Sequence, residues 1–221
     1  MALALGSVSS NTTTGSNTNS FAFNNVAGNG MVVVVESFDA NATNRVVQNI
    51  TYNSISLTAI SAVLVDIAGG QHSEMWYLNS PATGSNTLTI TMVGSITEID
   101  AGVITFTGAD TTSSFIHKTT TASVATNSIT GTVIPTIAGT YLVCGTQSQN
   151  NPTTIDATST SFMNLGGSTS RGSYKSIAGT GSTSLTNTTS GTPENMIMSL
   201  IAVAPPSTTT PTGNFFAFFR P

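Results

Sequence analysis

Apolar and polar residues alternate along much of this chain with a period of two, the pattern of strands that bury one face. The clearest case is Leu88, Ile90 and Met92 interleaved with Thr87, Thr89 and Thr91, which gives one apolar and one hydroxylated face. Just upstream, Met75, Trp76, Tyr77 and Leu78 form a run rich in strand formers, and Asn79, Ser80, Pro81 and Gly84 break it with residues suited to a turn. Residues 73–93 therefore read as strand, turn and strand, a hairpin-like unit that holds the only Trp of the chain. A buried indole with a partner for its N–H is a large core anchor, and the remaining strands are expected to pack around it.

In chain order, residues 2–8 open the first strand, with Leu3, Leu5 and Val8 as inward candidates, and 9–20 form a Ser/Thr/Asn loop. Phe21, Phe23 and Val26 resume a strand ahead of a tight turn at Gly28 and Gly30. The segment MVVVVESF, 31–38, is the strongest strand, and its unbroken Val run predicts a central position covered on both faces. A loop at 39–45 leads to strands at 46–52 and 57–67. Further strands are expected at 99–107, 115–118, 128–132 and 139–145. Residues 146–192 are mostly Gly, Ser, Thr and Asn, with short runs at 162–165 and 174–177 and an edge strand at 183–188. The terminal strand, 195–204, is stopped by Pro205 and Pro206 and is expected to complete the sheets together with the N-terminal segment. No amphipathic helix is found. Short strands punctuated at roughly 8–12 residue intervals predict an all-β fold, a single antiparallel β-sandwich of jelly-roll type. It spans residues 1–205, and 206–221 form a C-terminal extension, a Pro/Thr linker and a Phe-rich arm.

Composition sharpens this picture. Only 6% of the 221 residues are charged, against about 25% in an average protein, so solubility falls to Thr, Ser and Asn. Such a surface suits close contact with copies of itself or with a partner, because few charges need desolvation. With 5 Lys plus Arg and a net charge of −4, electrostatic binding to nucleic acid is not expected. Cys144 is alone, which leaves no intrachain disulfide or Cys-based metal cluster, and its setting in TYLVCG reads as a small core residue. The opening MALALGSVSS has no basic segment and does not read as a secretory signal. No apolar run approaches the roughly 18 residues of a membrane span, so membrane insertion is not expected.

Candidate chemistry is sparse. His72 and Glu74, with Asp66 upstream, are placeable as metal ligands, but the HxH and HExxH spacings are absent and polar residues of an exposed turn are the simpler reading. Glu98 and Asp100 share one face of a strand; glycoside hydrolases use carboxylate pairs, though usually across a cleft. Edge-protecting charge or a weak Ca²⁺ contact is the simpler expectation. His117, Lys118 and Asp110 recruit a serine only because serine is everywhere, and GxSxG, GxGxxG and P-loop motifs are missing. The sequons at Asn11, Asn41, Asn49 and Asn187 are what chance provides in this composition. No catalytic residue, cofactor or metal is expected, and the chain is not expected to be an enzyme.

Burial of a Phe side chain is worth roughly 1.5–3 kcal/mol over exposure, so Phe215, Phe216, Phe218 and Phe219 demand a partner surface. They are the expected subunit-interaction residues, docking on a neighbour as an exchanged arm or added strand, or folding back as a strand on their own sandwich. A membrane-interface anchor has one supporting cation, Arg220.

The opening MALALGSVSS, the Val-rich strand, WYLNSPATGSNTLTIT, GVITFTGAD, AGTYLV, RGSYKS and MIMSLIAVAP, in this order over residues 1–205, resemble jelly-roll proteins encoded by tailed phages. The resemblance implies a virion component made in the host cytoplasm: a capsid decoration or cement protein, a head fibre, or a tail-fibre or baseplate adhesin module. A capsid-surface subunit fits best, since the long repetitive shaft of a tail fibre is missing. The implied partners are copies of itself and other virion proteins, the major capsid protein among them. The alternative is a receptor- or carbohydrate-binding module, with Tyr77, Tyr174 or loop Asn and Asp residues meeting a host-surface glycan.

Overall fold

In the computed structural model the described residues are 1–60, 65–66, 70–112 and 115–207. The first sheet is built on one 24-residue strand, β8 (Gly84–Thr107). The 22-residue β1 (Ala4–Asn25) runs antiparallel along one side of it, from Ala4 opposite Thr107 to Asn25 opposite Gly84. On the other side two strands share its length: β2 (Gly30–Phe38) pairs with residues 98–106, and β3 (Val47–Tyr52) with residues 88–92. β7 (Gln71–Asn79) lies beyond β2, and the short β5 (Thr58–Ala59) and β6 (Val65–Asp66) pair with it, while β4 (Ile55–Ser56) pairs with β3. The second half of the chain makes two sheets. One has the order β13-β14-β11-β16-β9, from Thr160–Leu165, Ser170–Ile177, Thr140–Ser148, Glu194–Val203 and Ile116–Thr126. The other has the order β10-β15-β12, from Ser128–Val133, Thr183–Thr189 and Thr153–Thr154. The fold is an all-β sandwich of antiparallel sheets.

Strand alternation divides the interior into three cores. The first sheet curls around a core of its own, with Phe23, Val33, Tyr52, Trp76, Ile90 and Ile99 among its members. Val32, Val34, Met75, Ile104 and Phe106, from the opposite face of the same sheet, pack on Val143, Phe162, Ile201 and Val203 of the second sheet. The second sheet turns Leu142, Cys144, Met198 and Leu200 towards Ile129 and Leu185 of the third. β2, β11 and β16 are covered on both faces, which is why their sequences are apolar at successive positions. The Val run at 32–35 behaves as its pattern predicts, with odd residues in one core and even residues in the next.

Several expectations are corrected. Residues 9–20 are not a loop but part of β1, because all but Gly15 and Asn17 are paired in register with β8 and the β-branched Thr residues suit the pleat. A register shift between Ser16 and Thr18, beside Gly15 with φ 62°, absorbs the irregularity. Residues 73–93 do not make a hairpin, since β2 is inserted between β7 and β8. Residues 99–107 continue β8 instead of starting a strand. The N-terminal and C-terminal strands lie in different sheets, and 183–188, expected at an edge, occupies the middle of the third sheet. Of the strand expected at 57–67, only β5 and β6 fall within the described residues. Outward-facing hydroxyls pair across strands on two sheets, Ser20 with Thr89 at 3.0 Å, Thr130 with Thr186 at 2.9 Å and Thr132 with Ser184 at 2.7 Å.

The first and second sheets press closely together at Phe162. A Cβ on Gly102 would lie 2.7 Å from its ring, and a Cβ on Gly172 also 2.7 Å. One ring is therefore held between two glycines of different sheets. Gly102→Ala is expected to cost about 1–3 kcal/mol through overpacking, read as a lower urea midpoint with unchanged slope, and Phe162→Leu in the same chain should restore part of it.

Candidate functional site

Where the first two sheets face each other, the interface is apolar at one end and polar at the other, and the change falls at the same row on every strand. Val34 has Met75 and Gly102 as strand neighbours; one step along the same face, Glu36 has Ser73 and Asp100. Across from them the second sheet passes from Val143 to Gly145 to Gln147, and from Ile201 to Ser199. Ser73 Oγ donates to Glu36 Oε1 at 2.9 Å, which makes Ser199 the donor in the 2.8 Å contact between the two serine hydroxyls. Gly145 is required here, since a Cβ would sit 2.4 Å from Glu36 Oε1.

Glu36 is fully buried, and its Oε2 has no hydrogen-bond partner among the described residues. Burial pushes its carboxyl well above the usual carboxylate range, only partly offset by the Ser73 hydrogen bond, and the neighbouring Asp100 charge adds to the rise. Burial also raises Asp100, against the pull of the Thr12 and Ser170 hydroxyls. Glu98, at the outer end of the row, is raised by partial burial and by Asp100. Among the described residues none of the three pairs with Lys or Arg.

The row opens into a cleft of about 380 Å³ whose lining includes Phe38, Glu98, Gln147, Asn150, Gly166 and Thr169. Its walls are fixed. Glu194 accepts hydrogen bonds from the backbone N–H groups of Asn150 at 2.8 Å and Asn151 at 3.0 Å. Thr169 Oγ1 donates to the Gly166 carbonyl at 2.6 Å. Gly166, with φ 58°, lies against Asp100, where a Cβ would be 2.7 Å from Oδ2. Gln147 is 3% exposed; its Nε2 donates to Ser170 Oγ at 3.4 Å, and its Oε1 has no partner among the described residues. Leaving such an acceptor unsatisfied costs about 1–3 kcal/mol. A second concavity, an apolar groove of about 340 Å³, is lined by Met1, Leu3, Ile137, Ala138, Pro205 and Pro206, among others, where the described chain both begins and ends.

The residues singled out in the sequence are placed as follows. Glu98 and Asp100 do share a face, but they protect no edge, because β8 is paired on both sides there and Asp100 is fully buried. His72 and Glu74 are not turn residues. They lie in β7, buried, with His72 Nε2 2.7 Å from Glu74 Oε1. Glu74 also accepts from Trp76 Nε1 at 2.8 Å and from the Val47 amide at 2.8 Å, so it supplies the partner the indole requires. Asp66 is opposite His72 in the strand register. Among the described residues no three His, Cys, Asp or Glu side chains are grouped to hold a metal ion. Asp110 accepts from Thr112 in a turn, while His117 and Lys118 lie on β9. Tyr77 packs edge-on against Phe115 and Tyr174 against Tyr141, so both serve the core between sheets instead of the cleft. Asn187 is buried, donating to Thr146 Oγ1 at 2.7 Å. Cys144 is buried as expected, and desolvation pushes its thiol up to about 12. Phe215, Phe216, Phe218 and Phe219 lie outside the described residues. Glu36 and Gln147 were missed. The signal for Glu36 was its place in MVVVVESF, since an ionisable residue in a strand covered on both faces has nowhere to go but inside.

No family model matches the chain, and no curated protein matches it in sequence. Among the described residues no helix is long and apolar enough to cross a membrane.

The raised carboxyls fix a direction of pH dependence. The folded state keeps protons that the unfolded chain releases near the ordinary carboxylate value of about 4. This contribution to stability is fully present below that pH and is lost as pH rises through the raised folded values. Glu36→Gln keeps the acceptor for Ser73 and removes the ionisation. It should raise the urea midpoint at pH 8, with a gain that shrinks towards pH 4, by about 1.4 kcal/mol for each pH unit of the original shift.

Proposed function

We propose that this chain is a non-enzymatic structural subunit of a tailed-phage virion, a capsid-surface decoration or cement protein that binds copies of itself and other virion proteins, the major capsid protein among them. The observation that carries the reading is the apolar groove at Met1, Leu3, Ile137, Ala138, Pro205 and Pro206, at the point from which the chain continues towards Phe215, Phe216, Phe218 and Phe219. The groove offers the apolar surface those side chains require, and the same groove on a neighbouring copy offers it in trans. Three sheets locked through shared cores provide a stiff body for such a clamp. With only 6% of its residues charged, the chain packs closely against a particle at little cost in desolvation.

The test compares the intact chain, a chain ending at Ser207, and Ala138→Glu, which puts a charge in the groove. Sedimentation and particle-binding assays should show that both changes reduce self-association or particle binding while circular dichroism stays that of the folded protein. Unchanged association in both would overturn the clamp. A lowered melting temperature with unchanged association would place the Phe-rich segment on its own body and overturn it equally.

A further inference from the structure

We propose that Gln147 and Ser170 are the reacting pair of an autocatalytic cross-link, in which the Ser170 hydroxyl displaces ammonia from the Gln147 carboxamide and ties β11 to β14 by an ester. The inference is independent of the assembly reading above. The two residues face each other in the strand register, and Gln147 Nε2 lies 3.4 Å from Ser170 Oγ. The carbonyl carbon is one covalent bond beyond that nitrogen, so a small approach of the two side chains brings Oγ to the roughly 3–3.5 Å from which attack proceeds. Ser170 is fully buried and Gln147 nearly so, which holds the pair together and keeps out water, the competing nucleophile. A hydroxyl needs a base to become a good nucleophile, and the Asp100 carboxyl lies beside that of Ser170. Burial raises Asp100, so it takes up a proton more readily than an ordinary carboxylate. In the reaction the Ser170 proton passes to Asp100 as Oγ bonds to Gln147 Cδ. The C–N bond then breaks and Asp100 returns the proton to the leaving nitrogen, so amide and alcohol become ester and ammonia with no other reactant. Ammonia leaves by the cleft that Gln147 helps to line.

Other buried carboxamides lack this combination. Asn187 donates to Thr146 Oγ1 at 2.7 Å and accepts from the Asp156 amide at 2.8 Å, so both its ends are satisfied. Gln71 has an Oε1 without a partner among the described residues, but its Nε2 meets the Asn195 carbonyl, which is no nucleophile. At Gln147 the oxygen also lacks a partner among the described residues, while the nitrogen meets a hydroxyl that has a carboxyl beside it. An ester carbonyl is a weaker acceptor than an amide carbonyl, so the link lowers the cost of leaving that oxygen unpaired.

The experiment follows the full chain by intact-mass and peptide mass spectrometry, after purification and during incubation at neutral to mildly alkaline pH. The expected product is lighter than the sequence by one ammonia. Digestion should release a joined pair of peptides carrying residues 147 and 170, which hydroxylamine separates as it does an ester. Ser170→Ala and Gln147→Ala should each abolish the link. Asp100→Asn, checked as folded by circular dichroism, keeps both reacting groups and should slow the reaction about a hundredfold. In the unsubstituted chain the rate should rise with pH as Asp100 ionises, a dependence that Asp100→Asn loses. A chain that keeps its full sequence mass with no joined peptides, a link that survives in Ser170→Ala, or equal rates with and without the Asp100 carboxyl would overturn the proposal.

Discussion

The pairing of β8 with three other strands is the constraint on which the molecule rests. Its 24 residues present one side to β1, interrupted by the shift between Ile96 and Thr91, and the other side to β3 and then β2. A one-residue slip would turn every side chain to the wrong face, and two cores would fail together, because β8 contributes Ile99, Ala101 and Val103 to one and Ile104 and Phe106 to the next. The polar row at Glu36 and Asp100 exists only because β2 and β8 meet in this register. The sheet curls, the second sheet docks and the cleft opens as consequences of that alignment.

Much of the fold was legible in the chain. Alternation marked β8 around Leu88, Ile90 and Met92, and the continuous apolar run at 31–35 announced a strand covered on both faces. The errors share one physical origin. Residues 9–20 look like a loop because Ser, Thr and Asn suit loops, yet the same hydroxyls are at home on the solvated face of a strand whose backbone is paired. Local pattern also shows where strands are, not which strand lies beside which, so the insertion of β2 between β7 and β8 left no trace in residues 73–93.

The site was harder to read for the same reason. Glu98 and Asp100 announced themselves by spacing, but Glu36, Gln147, Ser170 and Ser199 come from four other strands and meet only through the docking of two sheets. A carboxyl without a counter-ion deep between sheets is a standing cost, and the Ser73 hydrogen bond offsets only part of it. The cost is concentrated at the end of the interface that opens to solvent, where the cleft lies. Natural sequences tolerate such local conflict mostly where a surface is put to use.

The paired hydroxyls on the outer faces, Ser20 with Thr89, Thr130 with Thr186 and Thr132 with Ser184, have a consequence for the medium in which the protein works. Dissolved ions screen charges but leave a lattice of neutral dipoles almost untouched. Contacts made through these faces therefore lose little strength to ionic screening, in dilute buffer or in brine.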